Sequence, residues 1–213
     1  MAYHDTDADY VPVCCGRTCQ RLATSLNLRV GSVVNYYDNL RGEYLENLKA
    51  DPINFSGNLE YEVDECLIKA VIDKTSGLRH NQWIAGILER NSGLLSLYRI
   101  PDRSGESLTA PILEKVPEKS IIYSDDWQGY GELSKHNYIR QTVVHSRGEY
   151  RRNTVIKNKP VSVHINTLEG INHVIRQRLS NKSRRNAERI YLILAEITYR
   201  RSGGSLFWPF KVK

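Results

Sequence analysis

The chain has 213 residues, with 30 Lys and Arg against 24 Asp and Glu, giving a formal net charge of +6. Hydrophobic residues make up 40% and charged residues 25%, the composition of a globular protein rather than a disordered or fibrous one. No apolar run approaches the roughly 20 residues that span a bilayer, and the acidic start MAYHDTDADY is unlike a secretory or mitochondrial leader.

Charge is unevenly spread. Residues 140–213 carry 16 Lys and Arg against four acids, a net +12, which leaves −6 for residues 1–139. A basic third beside an acidic remainder predicts a surface that meets phosphate and a place where carboxylates concentrate. Of the four cysteines, Cys14, Cys15 and Cys19 crowd together. They form no disulfide framework for a chain of this size and lack a fourth ligand at zinc spacing. The expectation is packing at a helix start, no zinc and an intracellular setting: the nucleus of a eukaryote, or the nucleoid and cytoplasm of a bacterium.

In chain order, residues 16–50 read as two helices around a turn at Asn27-Leu28-Arg29. Cys19, Leu22, Ala23 and Leu26 recur at helical spacing, and Ser32 is placed to cap the second helix. The pattern suits a DNA-binding helix-turn-helix, and a plain helical hairpin would read much the same. Asp51-Pro52 ends the second helix. From Leu59 the period falls to two. LEYEVDECLI sets Leu59, Tyr61, Val63 and Leu67 on one face and Glu60, Glu62, Asp64 and Cys66 on the other. WIAGILER and GLLSLYRI follow as strands joined at Asn91-Ser92-Gly93.

Ser104 caps a predicted helix, GESLTAPILEKV, with Leu108, Ile112 and Leu113 facing inward. SIIYSDDW reads as a buried parallel strand ending in two acids. A polar helix at GYGELSKH and a strand at YIRQTVVH come next, then a basic, irregular stretch, SRGEYRRNTVIKNKP. Two helices, near 167–180 and 183–200, complete a mixed α/β pattern of three antiparallel strands followed by alternating helices and parallel strands.

Three carboxylates stand out by position. Asp64 projects from the first strand, Asp125 ends the apolar strand where open α/β sheets collect ligands, and Glu169 opens a late helix. Glu169, His173 and Arg176 share one helical stripe. Carboxylates gathered closely repel unless cations hold them. Two Mg²⁺ or Mn²⁺ ions about 3.5–4 Å apart clamp the attacking and leaving oxygens of a phosphoryl displacement. The basic residues Arg147, Arg151, Arg152, Lys182, Arg184 and Arg185 are the expected phosphate contacts. Trp127 and Tyr130 suit a core or a base-stacking role, and His145 and His164 flank the basic stretch.

In order along the chain, EVDE (62–65), QWIAGILER (82–90), PDRSGESL (101–108), IIYSDDWQGY (121–130), VVHSRGEY (143–150) and HINTLEG (164–170) resemble the catalytic domain of Merlin-type and ISXO-like DDE transposases. The resemblance implies an RNase H-like mixed sheet flanked by helices, with Asp64, Asp125 and Glu169 as the catalytic and metal-binding triad. It also implies double-stranded DNA partners (terminal inverted repeats and target) and a homodimer or higher oligomer. Arg176 falls where relatives carry a basic residue. Gly170, Ile171 and Asn172 replace the aromatic residues that relatives tend to carry there.

The expected organisation is a flexible tail at 1–15, a helix-turn-helix region at 16–58, a DDE catalytic domain at 59–202 and a tail at 203–213. The expected activity is metal-dependent strand cleavage and strand transfer. The alternative is a transposon-derived DNA-binding protein without catalysis.

Overall fold

A computed structural model of the chain describes residues 16–55, 60–72, 79–179 and 186–202. Both expected tails, and with them Lys182, Arg184 and Arg185, lie outside the described residues, as do Cys14 and Cys15.

Two N-terminal helices are present, α1 (Gly16–Ser25) and α2 (Val30–Ala50). The turn between them puts Asn27 in the left-handed region at φ 52°. The second helix starts before Ser32: its N-cap is Arg29, whose side chain makes no capping bond. Cys19 and Ala23 of α1 bury against Val33 and Tyr37 of α2. The Cys19 sulfur is disulfide-bonded, against the expectation of packing alone.

The sheet has five strands: β1 (Glu60–Ile72), β2 (Arg79–Glu89), β3 (Leu95–Ile100), β4 (Ile121–Asp125) and β5 (Ile139–Val143). Their order is β3-β2-β1-β4-β5, with β1–β2–β3 antiparallel and β1–β4–β5 parallel. This is the RNase H-like arrangement. The turn after β2 closes through a Gly93 N–H bond to the Glu89 carbonyl at 2.9 Å, with Gly93 at φ 75°.

Helix α3 (Gly105–Lys115) is capped by Ser104, which accepts from the Ser107 N–H at 3.2 Å. It buries Leu108 and Ile112, but Leu113 is exposed, a correction to its expected inward position. The polar segment at 128–135 winds as 3₁₀ turns rather than an α-helix.

One face of the sheet packs Tyr61, Val63, Ala85, Ile87 and Ile122 against α3 and the 3₁₀ segment. The other packs Cys66, Ile68, Ile84 and Leu88 beneath α4 (Asn166–Arg178) and α5 (Ala187–Arg201). Residues 146–160, expected to be irregular, enter instead a hairpin that runs on to Val163. It consists of β6 (Arg152–Ile156) and β7 (Lys159–Val163), with Lys157 and Asn158 at φ 48° and 61°. Two successive left-handed residues make the two-residue turn whose twist matches paired strands. The turn carries Lys-Asn, without the glycine by which such turns are usually recognised.

Candidate active site

The β1–β4 ladder pairs Glu60, Tyr61 and Glu62 with Ile121, Ile122 and Tyr123. Continued by two residues, that register sets Asp64 level with Asp125, just where the strands part. Alternation sends both side chains to the α4 side of the sheet, since Ile122, Tyr61 and Val63 occupy the opposite core. The two acids therefore meet at the carboxyl end of the parallel strands. Burial, with Glu65 and Asp125 nearby, pushes the Asp64 carboxyl up to about 8, although a hydrogen bond from Asn172 opposes the shift. Asp125 accepts the Trp127 N–H at 3.0 Å through Oδ1, which closes the loop after β4.

Helix α4 lies across this pair. Asn172 Nδ2 donates to Asp64 Oδ2 at 2.7 Å, while the buried Asn172 Oδ1 has no hydrogen-bond partner among the described residues. Glu169 stands one helical turn before Asn172, and its Oε1 lies 3.6 Å from His145 Nδ1. His145 lies two residues beyond Val143, the last β5 residue and the one that pairs with Asp125. It also packs against the Tyr150 ring at 5.3 Å. Asp64 of β1 and Asp125 at the end of β4 are therefore neighbours, and Glu169 of α4, one turn before the asparagine bonded to Asp64, faces His145.

The histidine that meets Glu169 is His145 rather than His173, which is exposed with its Nε2 2.8 Å from Gln177 Nε2. The Arg176 side chain hydrogen-bonds to the Cys66 thiol on β1. Arg147 and Arg151 are exposed. Arg152 folds back on β5, donating to the Thr142 carbonyl at 3.2 Å and to Gln141 Oε1 at 2.9 Å.

Three residues that place α4 were not singled out from sequence as site residues. Glu62, fully buried and two residues before Asp64 on the same face, accepts the Leu168 N–H of the first α4 turn at 3.0 Å and the Thr167 hydroxyl at 3.3 Å. The helix has no side-chain cap of its own at Ile165. A carboxylate from β1 fills that role and meets the positive end of the helix dipole. Arg90 neutralises it, with Nε 3.1 Å from Glu62 Oε1, Nη1 donating to the Ser162 carbonyl at 2.7 Å and Nη2 to that of His164. Its guanidinium lies 3.6 Å from the Tyr123 ring centroid. Gly86, the cross-strand partner of Asp64, lets α4 come close: a Cβ there would stand 2.9 Å from Leu168 Cδ1. The period-two position of Glu62 was the available signal. Nothing in the sequence marked Gly86, and Asn172 stood out only as a departure from the aromatic residues of relatives.

On the opposite face, Glu65 accepts from Tyr130 Oη and from Arg103 Nε, each at 2.6 Å. Arg103 stacks between Trp127 at 3.8 Å and Trp83 at 4.9 Å. Tyr130 is therefore core, and Trp127, about a third exposed, covers an arginine at the rim.

Mg²⁺ is usually held by one or two carboxylates together with substrate phosphates. Asp64 and Asp125 supply that number of hard oxygen donors, and the orphaned Asn172 Oδ1 adds another. The raised Asp64 carboxyl is one that a cation would ionise. Among the described residues, no three His, Cys, Asp or Glu side chains already gather as a metal cluster. No described helix is long and apolar enough to cross a membrane.

No curated protein matches the chain in sequence. Among solved structures it is similar to the catalytic core domain of BIV integrase, at 16% identity and TM-score 0.43 over 70% of this chain and 88% of that one. It is also similar to Mos1 transposase in a paired-end complex with the left transposon end, at 11% identity and TM-score 0.30 over 92% and 74%. The family model for the ISXO2-like transposase domain matches residues 62–202, a span that opens on the α4-capping glutamate and closes just after α5. That match runs over roughly two-thirds of the sequence, and the chain belongs to the ISXO2-like transposase family.

Proposed function

We propose that this protein cuts and joins DNA strands, with Asp64, Asp125 and Glu169 as its catalytic carboxylates and Mg²⁺ or Mn²⁺ as the ions they hold. The observation that carries this reading is the parallel β1–β4 register, which extended by two residues sets Asp64 beside Asp125, beneath a helix bonded to Asp64 through Asn172. In the first reaction a water oxygen bonds to the scissile phosphorus and the P–O3′ bond breaks, leaving a 3′-hydroxyl and a 5′-phosphate. In the second, that 3′-oxygen attacks a target phosphodiester, loses its proton to solvent and displaces another 3′-oxygen.

The protein's own part is positional and electrostatic. Asn172 fixes one oxygen of Asp64, His145 stands against Glu169, and Glu62 with Arg90 holds α4 to the sheet. Arg147, Arg151, His173 and Arg176, with Lys182, Arg184 and Arg185, would meet flanking phosphates. Bound divalent ions supply activation of the attacking oxygen and stabilisation of the leaving one.

A second reading, a transposon-derived DNA-binding protein without catalysis, is favoured by Gly170, Ile171 and Asn172 standing where relatives tend to carry aromatic residues. The two readings part in a Mg²⁺-dependent cleavage assay on DNA carrying the element's flanking inverted repeats. The wild type should nick this DNA, whereas Asp64→Asn and Asp125→Ala should lose cleavage by at least a hundredfold and keep DNA binding. Equal nicking by Asp64→Asn would reject the assignment. Binding without cleavage by the wild type would establish the second reading.

A further inference from the structure

The hairpin of β6 and β7 leaves the sheet at the candidate site. Its first strand follows β5, whose last residue pairs with Asp125, and its second runs into α4 six residues before Glu169. Its inner face is anchored. Val163 is buried with Tyr123, Val143 and Ile165, Ile156 packs on the same cluster, and Arg152 reaches β5. The Ser162 carbonyl is held by Arg90.

Among the described residues, the outer face has no such cover. Cross-strand partners share a face, so Asn153 and Ser162 stand together, as do Val155 and Pro160. Val155 is 67% exposed, a large value for a β-branched apolar side chain in a paired strand. Arg151 is exposed, and its Nε donates to Ser162 Oγ at 2.7 Å, which holds the guanidinium on this outer face. Lys157 at the apex is also exposed, and so is Lys159, although it pairs with Ile156 and so starts from the anchored face. Residues 151–168 contain four basic side chains and no acid. The nearest acid before them, Glu149, lies 3.3 Å from Arg152.

A two-stranded ribbon is a shape that the major groove of B-DNA admits, being about 12 Å wide. Strands of five residues extend about 17 Å, roughly half a turn of duplex. We infer that the β6–β7 hairpin is a groove-binding ribbon: Arg151, Lys157 and Lys159 take phosphates of double-stranded DNA while the Asn153–Val155 face meets base edges about half a turn from the scissile bond. The location relative to that bond rests on the proposed catalytic reading. The ribbon's grip on duplex does not.

The test is fluorescence anisotropy of a labelled 30-base-pair duplex of mixed sequence across a salt series, without metal, using the full chain. Arg151→Gln/Lys157→Gln/Lys159→Gln should weaken binding at least tenfold at 100 mM salt. It should also reduce the slope of log affinity against log salt by about 2–3, near 0.9 for each lost phosphate contact. Lys49→Gln/Lys135→Gln, at exposed lysines elsewhere, should change neither. Should the triple variant fold poorly, Lys157→Gln alone should lower the slope by about 1. Methyl green, a major-groove occupant, should compete with the wild type and not with the triple variant.

An unchanged slope in the hairpin variants, or tighter binding to a single-stranded oligonucleotide than to duplex, would overturn the inference while leaving the catalytic reading intact. Asp64→Asn should bind as the wild type does, so lost cleavage with retained hairpin-dependent binding would sink only the catalytic reading. No duplex binding by the wild type would overturn both.

Discussion

Asp64 occupies a position that a carboxylate enters at a cost. Burial, Glu65 and Asp125 together push its carboxyl up to about 8, whereas in an unfolded chain it ionises near 4. Between those pH values the folded state binds the extra proton, so its stability falls as pH rises through that window. Asp64→Asn removes the ionisation and with it the fall. In urea denaturation, the variant should gain on the wild type by about 1–3 kcal/mol between pH 5 and pH 8. A saturating divalent ion should restore wild-type stability at pH 8 and leave the variant unmoved. Parallel stability curves for the two proteins across that range would show that the carboxyl is already ionised without a cation. Sequence periodicity put Asp64 on the correct face, but no sequence rule weighs burial and two neighbouring acids against one hydrogen bond from an asparagine 108 residues away.

At the scale of elements, α4 is the piece whose placement decides whether Glu169 shares a site with the two aspartates. Three devices set that placement: the Glu62 carboxylate on its first turn, the Asn172 bond to Asp64 and the missing side chain at Gly86. Gly86→Val would drive branched atoms into Leu168 and Leu97, which already stand 2.9 and 3.1 Å from an added Cβ. Overpacking of this kind costs about 1–3 kcal/mol, and α4 is the layer able to give way. The expected result is a folded protein, somewhat less stable, whose strand cleavage falls at least tenfold while duplex binding is kept. Wild-type cleavage by this variant would mean that α4 position and activity are unconnected.

The strands and helices of this region were legible because apolar alternation and helical stripes are local. The hairpin was not, since its turn lacks the glycine signal and its outer face is polar. Nor was the choice of His145 over His173 as the neighbour of Glu169. That choice depends on where the β5–β6 connection lays its side chains, not on spacing along α4.

For the molecule as a whole, the N-terminal helices bear directly on the layers of the sheet fold. Helix α2 lies along α5, with Tyr44 stacked on Tyr199 at 4.9 Å. Arg41, 4% exposed, donates from Nε to Glu196 at 2.9 Å and from Nη1 to Asp38 at 2.8 Å, and Asp38 also meets Arg189 of α5. Charges buried this deeply hold only as partners: removing one member strands the other, at about 3–5 kcal/mol. If the helix pair were a separate module, losing Glu196 would loosen it and spare the sheet. The shared interface argues the opposite, because α5 also covers Cys66, Ile84 and Leu88 behind the Asp64 strand. Glu196→Ala should therefore lower the stability of α2 and the sheet together by about 3–5 kcal/mol. Tryptophan emission, to which Trp83, Trp127 and Trp208 contribute, and hydrogen exchange in α2 should follow one denaturation curve. Two separated transitions, with the sheet unaffected, would make the N-terminal helices an appendage. Coincident ones would make α2 part of the scaffold that holds the candidate site.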